Sequence, residues 1–213
     1  MHVIRASKIG HPCIRNIWLN NIAGIPEEFS TKTLRKFDMG NAVEELVVKW
    51  LRQDGWMVYH NEGSQQAEWE ISVEIKGGVI KGHPDGFMMK DGEALLPDFK
   101  SMGAKYRYWI KEGTLKSSYG YYQQLLVYGG ATGWHNLALV GVKNEDGEYT
   151  IERLPWDWDA HQYVIDKAEY VASLTEPPTP DTMPMFGKSS ACGYCSYKDM
   201  GVCPGFKGLE GME

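Results

Sequence analysis

Long hydrophobic runs are missing from this sequence: no stretch approaches the roughly 18 uninterrupted apolar residues that a membrane-spanning helix needs. The opening MHVIRASKIGHPC also lacks the apolar core of a secretion signal, so a cytoplasmic protein with no membrane partner is expected. Cysteine is scarce: four in 213 residues are too few for a secreted disulfide scaffold. In a reducing compartment so few more often hold a metal or do chemistry. An excess of positive charge is missing too. With 22 Lys and Arg against 28 Asp and Glu the net charge is −6, which argues against a protein that merely coats nucleic acid. Repeats and low-complexity tracts are absent. The composition, 43% hydrophobic and 23% charged, excludes wholesale disorder, collagen and coiled coil. A chain of this length and make-up fits one domain, with or without a small appendage.

The charge is unevenly spread. Residues 144–186 hold ten acids against only Arg153 and Lys167. Residues 98–116 hold Lys100, Lys105, Arg107, Lys111 and Lys116 against Asp98 and Glu112, which makes the middle of the chain a candidate phosphate-facing region. The one break in composition is TEPPTPDTMP at 175–184, where prolines forbid helix and favour an extended crossing. Three segments follow: 1–35 with one cysteine, a core over 36–174, and 175–213 as a crossing and cysteine-bearing tail.

From Lys36, KFDMGNAVEELVVKWLRQDG puts Val43, Leu46, Val47, Trp50 and Leu51 on one helical stripe and stops at Gly55. Glu44 falls on the border of that stripe, where a carboxylate is partly buried, while Glu45 points away and can pair with Lys49. EWEISVEI, VIKGHPDGFMM and EALLPDFKSM read as three short strands of an antiparallel meander. Residues 105–130 carry a helical pattern ending in YYQQLLVYGG. NLALVGVKNEDGEYTIERLPW reads as a hairpin turning at Glu145-Asp146-Gly147, and WDAHQYVIDKAEYVASL as an amphipathic helix. The expected class is α/β or α+β, a mixed sheet covered by helices.

Two adjacent expected strands carry Gly82-His83-Pro84-Asp85 and Pro97-Asp98-Phe99-Lys100. Residues two apart in a strand share a face, so Asp98 and Lys100 can converge on one ligand. A carboxylate there can hold a hard cation such as Mg²⁺ or Mn²⁺, with the ammonium beside it for phosphate oxygens or water. Asp85 can add a second carboxylate and Glu44 a third. The bland alternative is an exposed pair and a Pro-Asp-Gly turn, and a lone D-x-K triplet does not exclude it.

Taken together the motifs resemble the RecB-like nucleases of the PD-(D/E)XK superfamily, in particular their single-domain iron–sulfur exonucleases of CRISPR-associated and phage-encoded type. G-x-x-x-E is matched by Gly40 and Glu44, G-x-x-D by Gly82 and Asp85, P-D-x-K by Pro97, Asp98 and Lys100, and Q-x-x-x-Y by Gln124 and Tyr128, in family order. The resemblance implies a restriction-endonuclease-like core in which Glu44, Asp85, Asp98 and the backbone carbonyl of Phe99 bind one or two divalent cations. It further implies that Lys100 positions or activates water, and that Gln124 and Tyr128 orient Lys100 and the substrate strand. Register leaves Gln123 as the alternative amide. The closest iron–sulfur members carry His at the first position, so Glu44 is a departure.

Cys192, Cys195 and Cys203 form C-x₂-C-x₇-C, with Cys13 far upstream. Four thiolates suit a [4Fe–4S] cluster or a structural Zn²⁺. A zinc ribbon normally has two close pairs and Cys13 has no neighbour, so the one-plus-three pattern resembles the family's iron–sulfur element, which would clip the N-terminal region to the tail. Tyr106, Tyr108, Trp109, Tyr119, Tyr121 and Tyr122 interleave with Lys105, Arg107 and Lys111, a pattern that can stack bases of single-stranded DNA or serve ordinary packing. His83 is expected to face away from Asp85, and His2, His11, His60, His135 and His161 show no metal spacing.

The resemblance thus implies a metal-dependent DNA exonuclease acting on single strands or duplex ends in recombination, repair or CRISPR adaptation, in a bacterial, archaeal or phage-infected cell. Protein partners from those pathways and a homo-oligomer are compatible with it. The alternatives are a catalytically silent DNA-binding adaptor of the same fold and a sequence-specific endonuclease.

Overall fold

The computed structural model describes residues 1–60, 69–102, 120–178 and 195–204. Eight strands among them form two sheets. β1 (His2–Arg5), β4 (Gly78–Gly82) and β3 (Ile71–Ile75) make a three-stranded sheet in the order β1-β4-β3. β2 (Met57–His60), β5 (Gly86–Lys90), β6 (Glu93–Met102), β7 (Leu137–Lys143) and β8 (Tyr149–Leu154) make a five-stranded sheet in that order. β1 runs parallel to β4 and β6 parallel to β7, while the other pairs are antiparallel. Both sheets are therefore mixed, as the sequence reading expects.

The helices are α1 (Ala6–Ile9), α2 (Ile14–Asn21), α3 (Thr31–Gln53), α4 (Tyr121–Thr132), α5 (Trp158–Ser173) and α6 (Ser196–Asp199). α3 starts ahead of the expected Lys36 because Ser30 caps it, its Oγ accepting from Thr33 N at 3.2 Å. α5 is capped in the same way by Asp157. α4 begins and ends at Gly120 and Gly133, both left-handed, which stop the helix at either end.

Two expectations need correction. The three-stranded meander over 68–102 is instead four strands divided between two sheets. Pro84 cannot donate to a ladder, so the run VIKGHPDGFMM breaks at His83-Pro84-Asp85: β4 ends in one sheet and β5 begins in the other. The α3 stripe is also rotated, with Val47, Val48 and Leu51 buried and Leu46 exposed.

Those α3 residues pack with Val58, Met88, Leu95, Phe99, Ala138 and Val140 on one face of the five-stranded sheet. On the opposite face Leu96, Leu137 and Leu139 meet α4 and α5. α4 is the crossover between the parallel strands β6 and β7 and is buried from Tyr122 through Gly129, apart from half-buried Gln123. It is apolar on nearly all sides, as a helix enclosed between two sheets must be. Its polar Gln124 and Tyr128 are therefore exceptions that need partners.

The N-terminal region and residues 195–204 pack together. Residues 195–204 dock on α2: Leu19, Tyr197 and Cys203 form a small core with Cys195 packed against it. Tyr197 donates to Ile25 O at 2.7 Å and accepts from Asn20 Nδ2 at 3.0 Å. Trp18 Nε1 donates to Leu174 O, and Arg15 Nη1 to Pro178 O, where the proline-rich crossing begins. No helix among the described residues is long and apolar enough to cross a membrane.

Candidate active site

Asp98 and Lys100 lie on the β6 face that looks toward α4, two residues apart and so on one side of the strand. Asp98 is fully buried, and its Oδ1 accepts from Lys100 Nζ at 2.8 Å and from Gln124 Nε2 at 3.2 Å. Gln124 Nε2 also donates to Tyr128 OH at 3.1 Å, so the amide facing the site is Gln124 and not Gln123. Tyr128 in turn lies against the backbone of Gly82: a Cβ there would sit 2.8 Å from its ring. Glycine at 82 thus makes room for the tyrosine. Lys100 Nζ stands 5.1 Å from the centre of the Tyr121 ring, a cation–π contact that steadies the ammonium from the helix side.

Asp85 comes from the break between β4 and β5. Met88 pairs with Leu95, and continuing that register by three residues sets Asp85 opposite Asp98. Asp85 Oδ2 accepts from Phe99 N at 2.8 Å, which ties it to the strand carrying Asp98. Glu44 approaches from α3, half-buried as expected, and His60 Nε2 lies 2.8 Å from its Oε1.

The electrostatics follow from crowding. Burial, and then the charge of Asp98, push the Asp85 carboxyl up to about 7. Burial also raises Asp98, against the pull of Lys100. For Lys100 burial works against the charge, but Asp98 and Asp85 outweigh it and hold its pKa far above that of a free lysine. Burial and the same two carboxylates raise Tyr128, which stays protonated. Glu44 adds to the charge felt by both aspartates.

The donor set suits a hard divalent ion in part. Asp98 Oδ2 is buried with no hydrogen-bond partner, and two facing carboxylates that resist ionisation are what a cation would relieve. Among the described residues no three His, Cys, Asp or Glu side chains converge as a ready-made ligand set. Glu44 is instead engaged by His60.

His60 is the residue that sequence reasoning missed. Its side chain is 4% exposed and it meets the Phe99 ring edge-on, with centroids 5.7 Å apart. The only signal was its place at the end of MVYH, a four-residue strand that alternation does not reveal. His83, expected to face away from Asp85, is exposed and its Nε2 lies 3.9 Å from Glu70 Oε2. Of the aromatics singled out, Tyr121 covers Lys100 and Tyr122 is core, donating to Pro155 O at 2.9 Å. Tyr106, Tyr108, Trp109 and Tyr119 lie outside the described residues.

Two cysteines share a donor at α2. Cys13 caps that helix, its Sγ accepting from Asn16 N at 3.3 Å, and Cys195 Sγ accepts from Asn16 Nδ2 at 3.6 Å. One buried asparagine therefore donates to two sulfurs from opposite ends of the chain. Cys203 is buried in the same small core as Cys195, and Cys192 lies outside the described residues. Lys167 adds a cation near Cys13; burial lowers its pKa to about 8 and its Nζ donates to His11 O at 2.8 Å.

No protein-family model matches the chain, and no curated protein is significantly similar to it in sequence. Solved structures do share its fold. An alkaline exonuclease, LHK-Exo, from Laribacter hongkongensis superposes with a TM-score of 0.56 at 16% identity, over 79% of this chain and 84% of that one. Its complex with dAMP gives 0.53 at 16% identity, over 79% and 85%. The structure of SSO0001 gives 0.53 at 15% identity, over 95% of this chain and 85% of that one. The mixed α+β architecture is thus shared with an exonuclease.

Proposed function

We propose that this chain is a Mg²⁺- or Mn²⁺-dependent DNA exonuclease that hydrolyses phosphodiester bonds of single strands or duplex ends, in recombination, repair or CRISPR adaptation. The observation that carries the reading is the state of Asp98. One oxygen of this fully buried carboxylate is held by Lys100 and Gln124, the other has no donor, and Asp85 stands across from it. Burying carboxylates this way costs stability unless a cation or chemistry requires it. The shared fold with an alkaline exonuclease, one structure of which holds dAMP, supports the same reading.

Asp85, Asp98 and the Phe99 carbonyl would hold the ion, with Glu44 completing the set. When bound it supplies Lewis-acid polarisation of the phosphate and a water of lowered pKa. Lys100 is an ammonium at neutral pH, because the two aspartates raise its pKa. It therefore donates hydrogen bonds and offsets the negative charge that builds on the phosphate oxygens during in-line attack by water, and does not act as the base. Water gives its oxygen to phosphorus, the ester P–O bond breaks, and the leaving oxygen takes a proton. Gln124 and Tyr128 fix Asp98 so that Lys100 points consistently.

The cysteines are assigned to a [4Fe–4S] cluster held by Cys13, Cys192, Cys195 and Cys203, with Zn²⁺ as the alternative. The Asn16 donors to two of these sulfurs support a shared centre that clips tail to N-terminal region. The test of the main reading is incubation of the purified protein with end-labelled single- and double-stranded DNA and Mn²⁺, beside Asp98→Asn. Chelator-sensitive shortening by the parent alone is expected, and equal degradation by both defeats the assignment.

A further inference from the structure

A second feature lies on β5, the strand that follows Asp85. Between the two sheets, at the C-terminal end of α4, is a cavity of about 450 Å³ lined by Trp69, Ile71, Ser72, Phe87, Thr132 and Trp134 among others. Phe87 is the ring that its aromatic neighbours share. Trp134 and Trp69 meet the Phe87 ring edge-on with centroids 5.1 and 6.5 Å away, and Tyr59 stacks on it at 5.3 Å. Trp134 remains 37% exposed, so an indole is available at the mouth. This is a costly surface to leave to water unless something covers it.

Its position says what that is. Phe87, on β5, follows Asp85 by two residues, so the ring stands within about 7 Å of chain from the site's carboxylate. Thr132 and Asp98's partner Gln124 belong to the same helix. Glu70, which also lines the cavity, is paired with Lys81 and lies 3.9 Å from His83, so an exposed ammonium and an exposed imidazole stand at the rim. Rings inside, the Lys81 ammonium and the His83 imidazole at the edge, and a phosphodiester site one or two nucleotides away are the ingredients of a stacking platform for an unpaired strand.

We propose that this cavity is a nucleobase-stacking subsite, in which a base of single-stranded nucleic acid inserts against Trp134 and Trp69 beside Phe87 while the neighbouring phosphate reaches Asp85, Asp98 and Lys100. It rests on the nuclease reading and adds the feature that favours an unpaired strand over a duplex, whose bases are not free to enter.

The test uses the full-length chain with Asp98→Asn as parent, so that bound strands are not cut. Binding of a labelled oligo(dT) and of an abasic strand of equal length is measured by anisotropy, and tryptophan emission is followed. The parent is expected to bind the abasic strand at least fivefold more weakly, and oligo(dT) to quench its emission where the abasic strand does not. Trp134→Ala weakens oligo(dT) by a similar factor with little further effect on the abasic strand, and Trp134→Phe restores most of the loss. Should Trp134→Ala prove unfolded, the quench and the abasic comparison in the parent decide alone. Equal binding of the two strands by the parent, or equal losses on both in Trp134→Ala, overturns the subsite. Failure of the nuclease reading is seen separately, as cleavage that Asp98→Asn leaves unchanged.

Discussion

His60 Nε2 lies 2.8 Å from Glu44 Oε1, joining the end of β2 to the middle of α3 beneath the acidic cluster. A carboxylate with one oxygen tied in this way has only the other to offer, and that oxygen is oriented. His60→Ala should therefore weaken Mn²⁺ binding by about 10- to 100-fold, as loss of an outer-shell partner does. Titration calorimetry on the folded variant reads this directly, and His60→Gln should recover part of it. Unchanged affinity in His60→Ala would show that Glu44 needs no such partner.

Asp98→Asn preserves shape and removes the charge that Lys100 and Gln124 address. Chelator-sensitive DNA cleavage should fall by roughly 10²-fold or more, with circular dichroism unchanged. Gln124→Ala should cost less, because Lys100 still holds Asp98 Oδ1. Gel analysis of end-labelled strands ranks them, and a Gln124 variant worse than Asp98→Asn contradicts the assigned roles.

The candidate site was largely legible because its residues obey short-range rules. Asp98 and Lys100 are i and i+2 on a strand, and Gln124 and Tyr128 are i and i+4 on a helix, so spacing alone brings each pair together. The hairpin β7–β8 and the helix α5 were legible from alternation and periodicity. Features set by distant packing were not. That β4 and β5 belong to different sheets depends on β1 and β2, two four-residue strands with no pattern of their own. His60 was missed with β2. The rotated face of α3 is likewise decided by the sheet it meets.

The raised Asp85 carboxyl, at about 7 against an ordinary aspartate, sets a pH dependence. An acid whose folded pKa is raised favours the fold while protonated, and that contribution fades as pH climbs from about 4 through 7. Metal binding requires the ionised form, so Mn²⁺ affinity should rise about tenfold per pH unit below 7 and level off above. The increase in Tm on adding Mn²⁺ should accordingly be larger at pH 8 than at pH 6. Equal increments at both would place the ion away from Asp85.

Asn16 donates to the sulfurs of both Cys13 and Cys195. If these thiolates share a cluster, anaerobically purified protein should be brown and contain about four iron atoms per chain. Cys195→Ser should lose the colour and loosen the docking of residues 195–204, read as faster proteolysis of the tail. Protein without iron but with one zinc selects the alternative centre, and protein with neither removes the assignment.

The two glycines of the helix and strand motifs should respond in opposite directions to alanine, because they are glycine for different reasons. At Gly82 a Cβ would lie 2.8 Å from both Ala6 Cβ and the Tyr128 ring, so Gly82→Ala must push the tyrosine away from Gln124. Overpacking of this kind costs about 1–3 kcal/mol, or about 2–4 °C of Tm per kcal/mol in a domain of this size. The displaced Tyr128 should slow cleavage as well. At Gly40, inside α3, a Cβ would meet nothing within 4 Å, and alanine is the better helix former by about 1 kcal/mol. Gly40→Ala should therefore raise Tm by a few degrees. Thermal denaturation of the two variants side by side settles the matter: a Tm that does not fall in Gly82→Ala would mean that the Gly82–Tyr128 contact does not constrain the site, and one that does not rise in Gly40→Ala would refute the helix argument.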